Sequence, residues 1–107
     1  MQKKKILERD VAKYLSSKLR KLGIEHRRTA WIGRSHAPDF FIMVNGGEWI
    51  ETKRPGEKPR VGQLAEHEKM RAAGCRVFVL STFEEVEGYI ADLQAARLPE
   101  ENNQPHP

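Results

Sequence analysis

The short turn Asn45-Gly46-Gly47 is the feature that most constrains how this chain folds. Residues 38–44 before it and residues 48–53 after it contain many of the β-branched and aromatic residues that favour strands. An Asn-Gly pair between two such runs is typical of a β-hairpin, because Asn and Gly tolerate the positive φ angles of tight turns. The sequence therefore predicts two adjacent antiparallel strands.

The length of this turn determines which side chains of the hairpin share a face of the sheet. A three-residue loop would place Val44 opposite Glu48. Asp39 would then lie opposite Lys53, with Glu51 as its diagonal neighbour. Diagonal neighbours have backbones about 7–8 Å apart, so both carboxylates would lie close together on one face. A two-residue turn would send them to opposite faces.

The remaining elements follow from hydrophobic periodicity. An apolar stripe at steps of three or four residues predicts a first helix: Leu7, Val11, Leu15, Leu19 and Leu22. Residues 24–32 favour a strand, residues 61–73 a second helix and residues 75–80 a buried strand. Ser81 and Glu84 have the spacing of a capping box at the start of a third helix.

This element order, αβββαβα, predicts an α/β fold with a mixed β-sheet flanked by helices. A chain of 107 residues has room for one domain, which we expect at residues 1–97. Residues 98–107 are polar and rich in proline, so we expect a disordered tail. We expect neither a membrane span nor a secretion signal. The lone Cys75 fits a reducing, cytoplasmic environment.

Charge is distributed unevenly along the chain. Residues 1–60 hold 15 Lys and Arg against 7 Asp and Glu, whereas residues 61–107 hold 4 against 8. This division predicts a basic face that contacts a polyanion by neutralising its phosphates. Basic surfaces also occur in proteins that bind no nucleic acid, so the charge alone assigns no function.

Asp39, Glu51 and Lys53 form a candidate catalytic group on one face of the hairpin. Two carboxylates can converge on one cation, and oxygen ligands without paired Cys or His favour Mg²⁺ or Mn²⁺. The Thr52 backbone carbonyl could add a ligand. In phosphodiester hydrolysis a metal stabilises charge on the scissile phosphate, while a nearby lysine orients or helps deprotonate the attacking water. The alternative is a cross-strand salt bridge between solvated charges.

Two further polar residues have the placement of site residues. Glu8 borders the apolar stripe of the first helix, where a metal on the sheet side would give its carboxylate a partner, directly or through water. Pairing of Glu8 with Lys5 or Arg9 is the alternative. Gln63 opens the second helix, where its amide could hold a phosphate oxygen or a water. An exposed first-turn glutamine is the simpler interpretation.

Together these residues resemble the signature of the virus-type replication-repair nuclease (VRR-NUC) family, a branch of the PD-(D/E)xK nucleases. The resemblance rests on four segments in order: Glu8; residues 33–39, Gly-Arg-Ser-His-Ala-Pro-Asp; residues 51–56, Glu-Thr-Lys-Arg-Pro-Gly; and Gln63, with Glu66-His67 behind it. A lone PD or ExK is uninformative, but the order and spacing of all four are specific. The match covers nearly the whole chain before the tail.

The resemblance implies a restriction-endonuclease-like core and a metal-dependent DNA endonuclease that hydrolyses phosphodiester bonds. It further implies selectivity for branched or junction DNA in replication, repair or recombination. By this resemblance Asp39 and Glu51 bind the metal, Lys53 is the catalytic lysine, and Gln63 is the glutamine of the fourth motif. Glu8 matches the acid of the first helix. A phage-encoded member would act in the cytoplasm of the host cell.

Two positions depart from the family pattern. His36 stands where the family more often has a small residue, and Glu57 adds negative charge to an otherwise basic loop. A solvated loop histidine is the simpler interpretation of His36, so we assign it no catalytic role. His67 lies one helical turn beyond Gln63, but no second His or Cys stands at ligand spacing, so a zinc site is not expected.

Basic residues around the proposed metal predict contacts to the DNA backbone rather than to base edges. The predicted contacts are Arg34, Ser35, Arg54, Lys58 and Arg60, with Lys4 and Lys5 near the N-terminus. Lys3, Arg27 and Arg28 could extend them. One such site cuts one strand, so paired cuts predict a homodimer. Two alternatives stay open: a non-catalytic nucleic-acid-binding module, and an interaction protein that uses the acidic face of the third helix.

Overall fold

The computed structural model describes residues 5–103 and has the predicted order of elements. The elements are α1 (Glu8–Lys21), β1 (His26–Arg28), β2 (Phe40–Ile42), β3 (Glu48–Thr52), α2 (Val61–Ala72), β4 (Arg76–Leu80) and α3 (Phe83–Asn103). The α/β class and the order αβββαβα are therefore confirmed. Lys4, a predicted DNA contact, lies outside the described residues, as does Lys3.

The four strands form one mixed sheet in the order β1-β2-β3-β4. The first two pairs are antiparallel, whereas β3 and β4 are parallel. A parallel pair needs a crossover connection, which the basic loop and α2 provide. The carboxyl ends of β3 and β4 therefore lie side by side, next to the start of β2.

Helices α1 and α3 pack together on one face of the sheet and form the main core with it. The core residues are Val11, Ala12, Leu15, Leu19, Ile24, Phe40, Ile42, Ile50, Leu80, Val86, Tyr89, Ile90 and Leu93. Full burial of one Leu, Ile or Phe contributes about 1.5–3 kcal/mol, so this layer holds α1 firmly against the sheet. The start of α1, with Glu8, is thereby fixed near the ends of β2 and β3.

Helix α2 packs against β4 and buries two polar residues, Glu66 and His67. Phe41 and Trp49, which are paired across β2 and β3, are half-buried with ring centroids 4.7 Å apart. Trp31 makes an edge-on contact with Trp49, at 5.5 Å between ring centroids. An aromatic cluster therefore lies on the sheet face opposite the main core.

The hairpin register differs from the predicted register by two residues. Phe40 pairs with Ile50, so continuation of the same register places Asp39 directly opposite Glu51. The predicted pairing of Asp39 with Lys53 is therefore wrong. A shift of two residues preserves the alternation of side chains between the faces, so Asp39 and Glu51 still share a face.

The register shift arises because the chain leaves the ladder earlier than the turn sequence suggests. The Met43 amide bonds to a carbonyl that precedes β1, and the Val44 amide bonds back within its own strand. The turn itself is closed by the Gly47 amide, which donates to the Val44 carbonyl at 2.7 Å. Asn45 and Gly46 have φ angles of 50° and 81°, as a two-residue type I′ turn requires. By itself this turn would send Asp39 and Glu51 to opposite faces. One extra residue on the β2 side, Met43 between Ile42 and the turn, offsets it as a β-bulge does, so Ile42 pairs with Glu48. The predicted pairing of Val44 with Glu48 is therefore also wrong.

Strand β1 and the start of α3 differ from their predicted bounds. β1 covers only three residues of the predicted 24–32, because the following segment leaves the sheet and Trp31 Nε1 donates to Glu66 of α2 at 2.7 Å. At α3 the hydroxyl of Thr82, not that of Ser81, caps the helix by accepting the Glu85 amide at 3.0 Å.

Helix α3 continues to Asn103, so residues 98–103 are helical although the sequence predicts disorder from Leu98. A helix that is already nucleated gains one hydrogen bond for each residue it adds, which allows a polar segment to extend it. Residues 104–107 of the predicted tail lie outside the described residues. Within residues 5–103, no helix combines the length and the apolar composition that a membrane crossing requires.

Candidate active site

Three carboxylates meet where β2 begins and β3 ends. Glu8 lies in the first turn of α1, Asp39 immediately precedes β2, and Glu51 is the fourth residue of β3. One carboxylate oxygen from each lies within 4.8 Å of the others. Glu8 is exposed and Asp39 is half-buried, whereas Glu51 is 2% exposed. The acid cluster of Glu8, Asp39 and Glu51 therefore extends from the protein surface, at Glu8, to a buried position, at Glu51.

Hydrogen bonds to both neighbouring strands hold Asp39 in place. Its Oδ2 accepts from the Thr52 amide at 2.7 Å and from the Thr52 hydroxyl at 2.9 Å. Its backbone carbonyl accepts from the Thr29 amide at 2.9 Å. Thr52 therefore orients the Asp39 carboxylate through its amide and its hydroxyl. The sequence had predicted a role only for the Thr52 carbonyl, as a metal ligand.

Glu51 is surrounded by nitrogen groups. Lys53 Nζ lies 3.7 Å from Oε2 of Glu51, and Gln63 Nε2 donates to the same oxygen at 3.2 Å. His67 Nε2 lies 3.5 Å from the other oxygen, Oε1. Lys53 is only 5% exposed, and its amide donates to the Leu80 carbonyl at 3.0 Å. The structure thus brings Lys53 and Gln63 to the acid cluster.

The electrostatics of the acid cluster favour added positive charge. Burial, followed by the neighbouring charge of Asp39, raises the pKa of Glu51 to about 7. Burial also raises the pKa of Glu8, again with Asp39 as the second cause. Lys53 lowers both pKa values without cancelling either rise. One lysine therefore does not compensate the three carboxylates.

These donors fit a hard divalent cation. Carboxylate oxygens are the ligands that Mg²⁺ and Mn²⁺ prefer, and a cation among them would relieve their mutual repulsion. Among the described residues, Glu51 Oε1 is buried without a hydrogen-bond partner, which is uncommon for a carboxylate oxygen. The spacing of the oxygens and the deficit of positive charge together make the acid cluster a candidate metal centre.

Helix α2 presents Gln63 and His67 to Glu51 from one face, because residues four apart lie one above the other. Gln63 is oriented by its own Oε1, which accepts the Arg60 amide at 2.8 Å. His67 is fully buried, and burial, followed by the charge of Arg71, lowers its pKa. Sequence reasoning gave His67 no role. Its four-residue spacing from Gln63 was the signal that could have placed it here.

The predicted DNA contacts that the structure describes are exposed: Lys5, Arg34, Ser35, Arg54, Lys58 and Arg60. Lys5 lines a cleft of about 560 Å³ with residues 54–57, so the N-terminal segment and the basic loop share one surface. Arg54 lies 3.7 Å from Glu57. Arg34 donates to the buried carboxylate of Glu66 at 2.7 Å, a pairing that the sequence did not predict.

The loop between β1 and β2 is fastened to α2 at two points. Glu66 accepts hydrogen bonds from both Trp31 and Arg34, each at 2.7 Å. One turn earlier, the ring of His36 packs on Gly62, where an added Cβ would lie 2.7 Å from Cε1 of His36. Helix α2 therefore contacts this loop through Gly62 and Glu66. It contacts Glu51 through Gln63 and His67.

Comparison with known proteins identifies similar chains. Over 79 residues the chain is 37% identical to a protein of Acyrthosiphon pisum secondary endosymbiont phage 1 named "Putative nuclease p44". That alignment covers 72% of this chain and 85% of the phage protein. A solved structure described as "VRR_NUC domain" is similar with a TM-score of 0.72 and 34% identity, over 78% of this chain and 94% of the other. No family model matches the chain.

Proposed function

Since the chain belongs to the VRR-NUC family of nucleases, we propose that it is a metal-dependent DNA endonuclease that hydrolyses phosphodiester bonds at the acid cluster. The observation that carries this proposal is the convergence of Glu8, Asp39 and Glu51 beside a buried lysine. Three separate parts of the chain supply these groups. A chance cluster of surface acids would not include a carboxylate as buried as that of Glu51.

Asp39 and Glu51 would hold a Mg²⁺ or Mn²⁺ ion, with Glu8 as a further ligand directly or through water and the Thr52 carbonyl as a backbone ligand. When bound, the ion stabilises negative charge on the scissile phosphate. The hydrogen bonds from Thr52 to Asp39 support this assignment, because they fix one ligand before any metal arrives.

Lys53 would act on the attacking water. Its Nζ lies 3.7 Å from Glu51 Oε2 in a nearly closed environment, so its position is well defined. In the reaction, water adds to phosphorus, the bond to the leaving sugar oxygen breaks, and that oxygen takes up a proton. Lys53 orients the water and helps to remove its proton. Gln63 keeps Glu51 aligned through the bond to Oε2.

The substrate would bind through its phosphates. Lys5 shares one cleft with residues 54–57, and Ser35 and the basic residues of this loop are exposed, which supports backbone contacts rather than base reading. Selectivity for branched or junction DNA, and a homodimer that makes paired cuts, belong to this proposal. Light scattering of the purified protein with and without DNA tests the dimer, and a monomer under both conditions contradicts it.

Cleavage of flaps, forks, four-way junctions and plain duplex in Mg²⁺ or Mn²⁺ tests the activity. We expect Asp39→Asn and Lys53→Met to lower the rate by at least about 100-fold, since each removes a group that acts on the reacting phosphate or water. Glu84→Gln on α3 is the matched control and should cleave normally. If all variants cleave equally, the site is wrong. DNA binding without cleavage in either metal would make the protein a non-catalytic binding module.

A further inference from the structure

A basic groove borders the acid cluster and shares no lining residue with the cleft formed by Lys5 and the basic loop. It has a volume of about 480 Å³ and runs between α1 and the edge of the sheet. Glu8 and Thr52 line it, so it opens directly onto the candidate metal centre. Its basic lining residues are Arg9, Lys13, Arg20, Arg27 and Arg28. The basic loop of residues 54–60 contributes nothing to this lining.

The cations on the α1 wall of the groove are regularly spaced, as expected of a binding surface. Arg9, Lys13 and Arg20 are spaced by four and seven residues, which places them in one row along α1. Arg9 and Arg20 are eleven residues apart, so the row spans about 16.5 Å of helix axis. That length matches about five steps of a nucleic-acid strand at ~3.4 Å per step.

The opposite wall is the edge strand β1, and most of the cations face the groove without an acidic partner. Within the described part of the chain, Arg9, Lys13 and Arg20 form no ion pair. Arg28 stacks over the Phe40 ring at 4.5 Å from its centroid, and Arg27 is bound to a neighbouring exposed glutamate. Such an accumulation of cations favours a polyanion.

We infer that the groove between α1 and β1 binds the phosphate backbone of the nucleic-acid strand that continues past the scissile phosphate. The inference rests on the proposed nuclease function and deepens it, because it gives the strand a direction across the protein. The strand passes from the basic loop, over the acid cluster, and along the row of cations on α1. Its occupant is recognised by charge and spacing, not by base sequence.

Salt-dependent DNA binding in EDTA tests the groove without any cleavage. The groove variant is Lys13→Gln/Arg20→Gln. The control, Lys21→Gln/Lys69→Gln, removes the same charge from exposed helical positions that do not line the groove. Glutamine keeps helix propensity close to that of Lys and Arg. Fluorescence anisotropy with labelled duplex and single-stranded oligonucleotides gives the dissociation constant at each NaCl concentration.

We plot log Kd against log salt concentration and compare the slopes. For two lost phosphate contacts, the slope of the groove variant should be smaller than that of the wild type by about 1.8 on duplex and by about 1.4 on a single strand. The control should keep the wild-type slope. Equal slopes for the two double variants would overturn the groove while leaving the nuclease proposal intact. If the wild-type protein binds neither oligonucleotide nor a labelled four-way junction, the proposed function itself fails.

A second inference concerns His67, which no part of the proposed mechanism uses. Both ring nitrogens of His67 and Oε1 of Glu51 are buried and have no hydrogen-bond partner among the described residues. Nε2 and Oε1 lie 3.5 Å apart, so an approach of about 0.5 Å would give a normal hydrogen bond. Site contacts of this kind often tighten only when the ligand binds.

The geometry points to His67 as a positioning residue that holds Oε1 of Glu51 while Gln63 holds Oε2. Contacts to both oxygens fix the plane of the carboxylate, which a single contact leaves free to rotate. Since the two residues are four apart on α2, one rigid helix supplies both contacts. This inference also rests on the proposed function, because it gives Glu51 the orientation that metal binding needs.

Binding of Mn²⁺ measured by calorimetry separates this role from simple packing. His67→Leu should weaken Mn²⁺ binding by about 10-fold to 100-fold, and His67→Gln, whose amide can replace Nε2, should restore most of it. The thermal unfolding of both variants is measured first, so that their Mn²⁺ affinities are compared between folded proteins. Wild-type Mn²⁺ affinity in His67→Leu would overturn the inference, as would equal losses in the two variants. No Mn²⁺ binding by the wild-type protein would instead contradict the proposed metal centre.

Discussion

The buried Glu51 carboxylate makes the stability of the metal-free protein fall as the pH rises. Its pKa is about 7 in the folded protein, against an ordinary value of 4.5. Above pH 4.5 the unfolded chain loses the proton first, so the folded state binds more protons and its stability decreases with pH. The decrease begins near pH 4.5 and is complete once the pH has passed about 7.

At about 1.4 kcal/mol per pH unit, the difference between these two pKa values corresponds to roughly 3 kcal/mol of stability. That is a large part of the 5–15 kcal/mol typical of a small domain. The assay is urea unfolding in EDTA at pH 5 and pH 8, followed by the fluorescence of Trp31 and Trp49. Glu51→Gln keeps the shape of the side chain but removes its charge. It should therefore gain about 3 kcal/mol relative to wild type between the two pH values.

The comparison with Glu51→Gln isolates this one group. His67 has a lowered pKa and contributes the opposite trend below pH 6.5, but both proteins carry it. Parallel losses of stability in wild type and Glu51→Gln would refute the reasoning. Addition of Mn²⁺ at pH 8 should restore stability to the wild type, by about 2.7 kcal/mol at a concentration 100 times the dissociation constant, and much less to the variant.

Three further outcomes are expected. Gly62→Ala should not give the usual helix stabilisation of about 0.5–1 kcal/mol, because the new Cβ would meet the His36 ring. In a chain that also carries His36→Ala, Gly62→Ala should give that stabilisation. Additive effects of the two substitutions in a double-mutant cycle would contradict this contact. Tyr89→Phe removes a 2.7 Å bond to the buried Glu48 and should cost about 1.5–3 kcal/mol in urea unfolding, whereas no loss would contradict that bond. Leu15→Ala should cost about 2–5 kcal/mol, with a smaller loss meaning that α1 packs loosely.

Sequence periodicity was sufficient for the element order but not for the strand pairing. The apolar stripe of α1 and the two runs around Asn45-Gly46 have strong local patterns, so their elements were predicted correctly. The register depended on Met43, whose amide bonds to the segment before β1. No local pattern contains that contact. The prediction that Asp39 and Glu51 share a face survived because a two-residue shift leaves the faces unchanged.

The parts of the site that depend on distant pairs were missed. The pairing of Arg34 with Glu66, which lies 32 residues further along the chain, has no local pattern that would predict it. His67 appeared to be an isolated histidine, because α2 has a weakly amphipathic sequence in which two of the three buried residues are polar. The row of Arg9, Lys13 and Arg20 was visible in the sequence, yet only the packing of α1 beside β1 turns it into a groove.

The even-numbered shift in the hairpin has a consequence for how this protein can change its length. Surface turns normally accept inserted or deleted residues at little cost. Here a single inserted residue between β2 and β3 that no further bulge absorbs would rotate Asp39 away from Glu51, whereas two inserted residues would keep them together. Evolution and protein engineering should therefore find this turn variable in steps of two, while single insertions abolish activity in a chain that still folds.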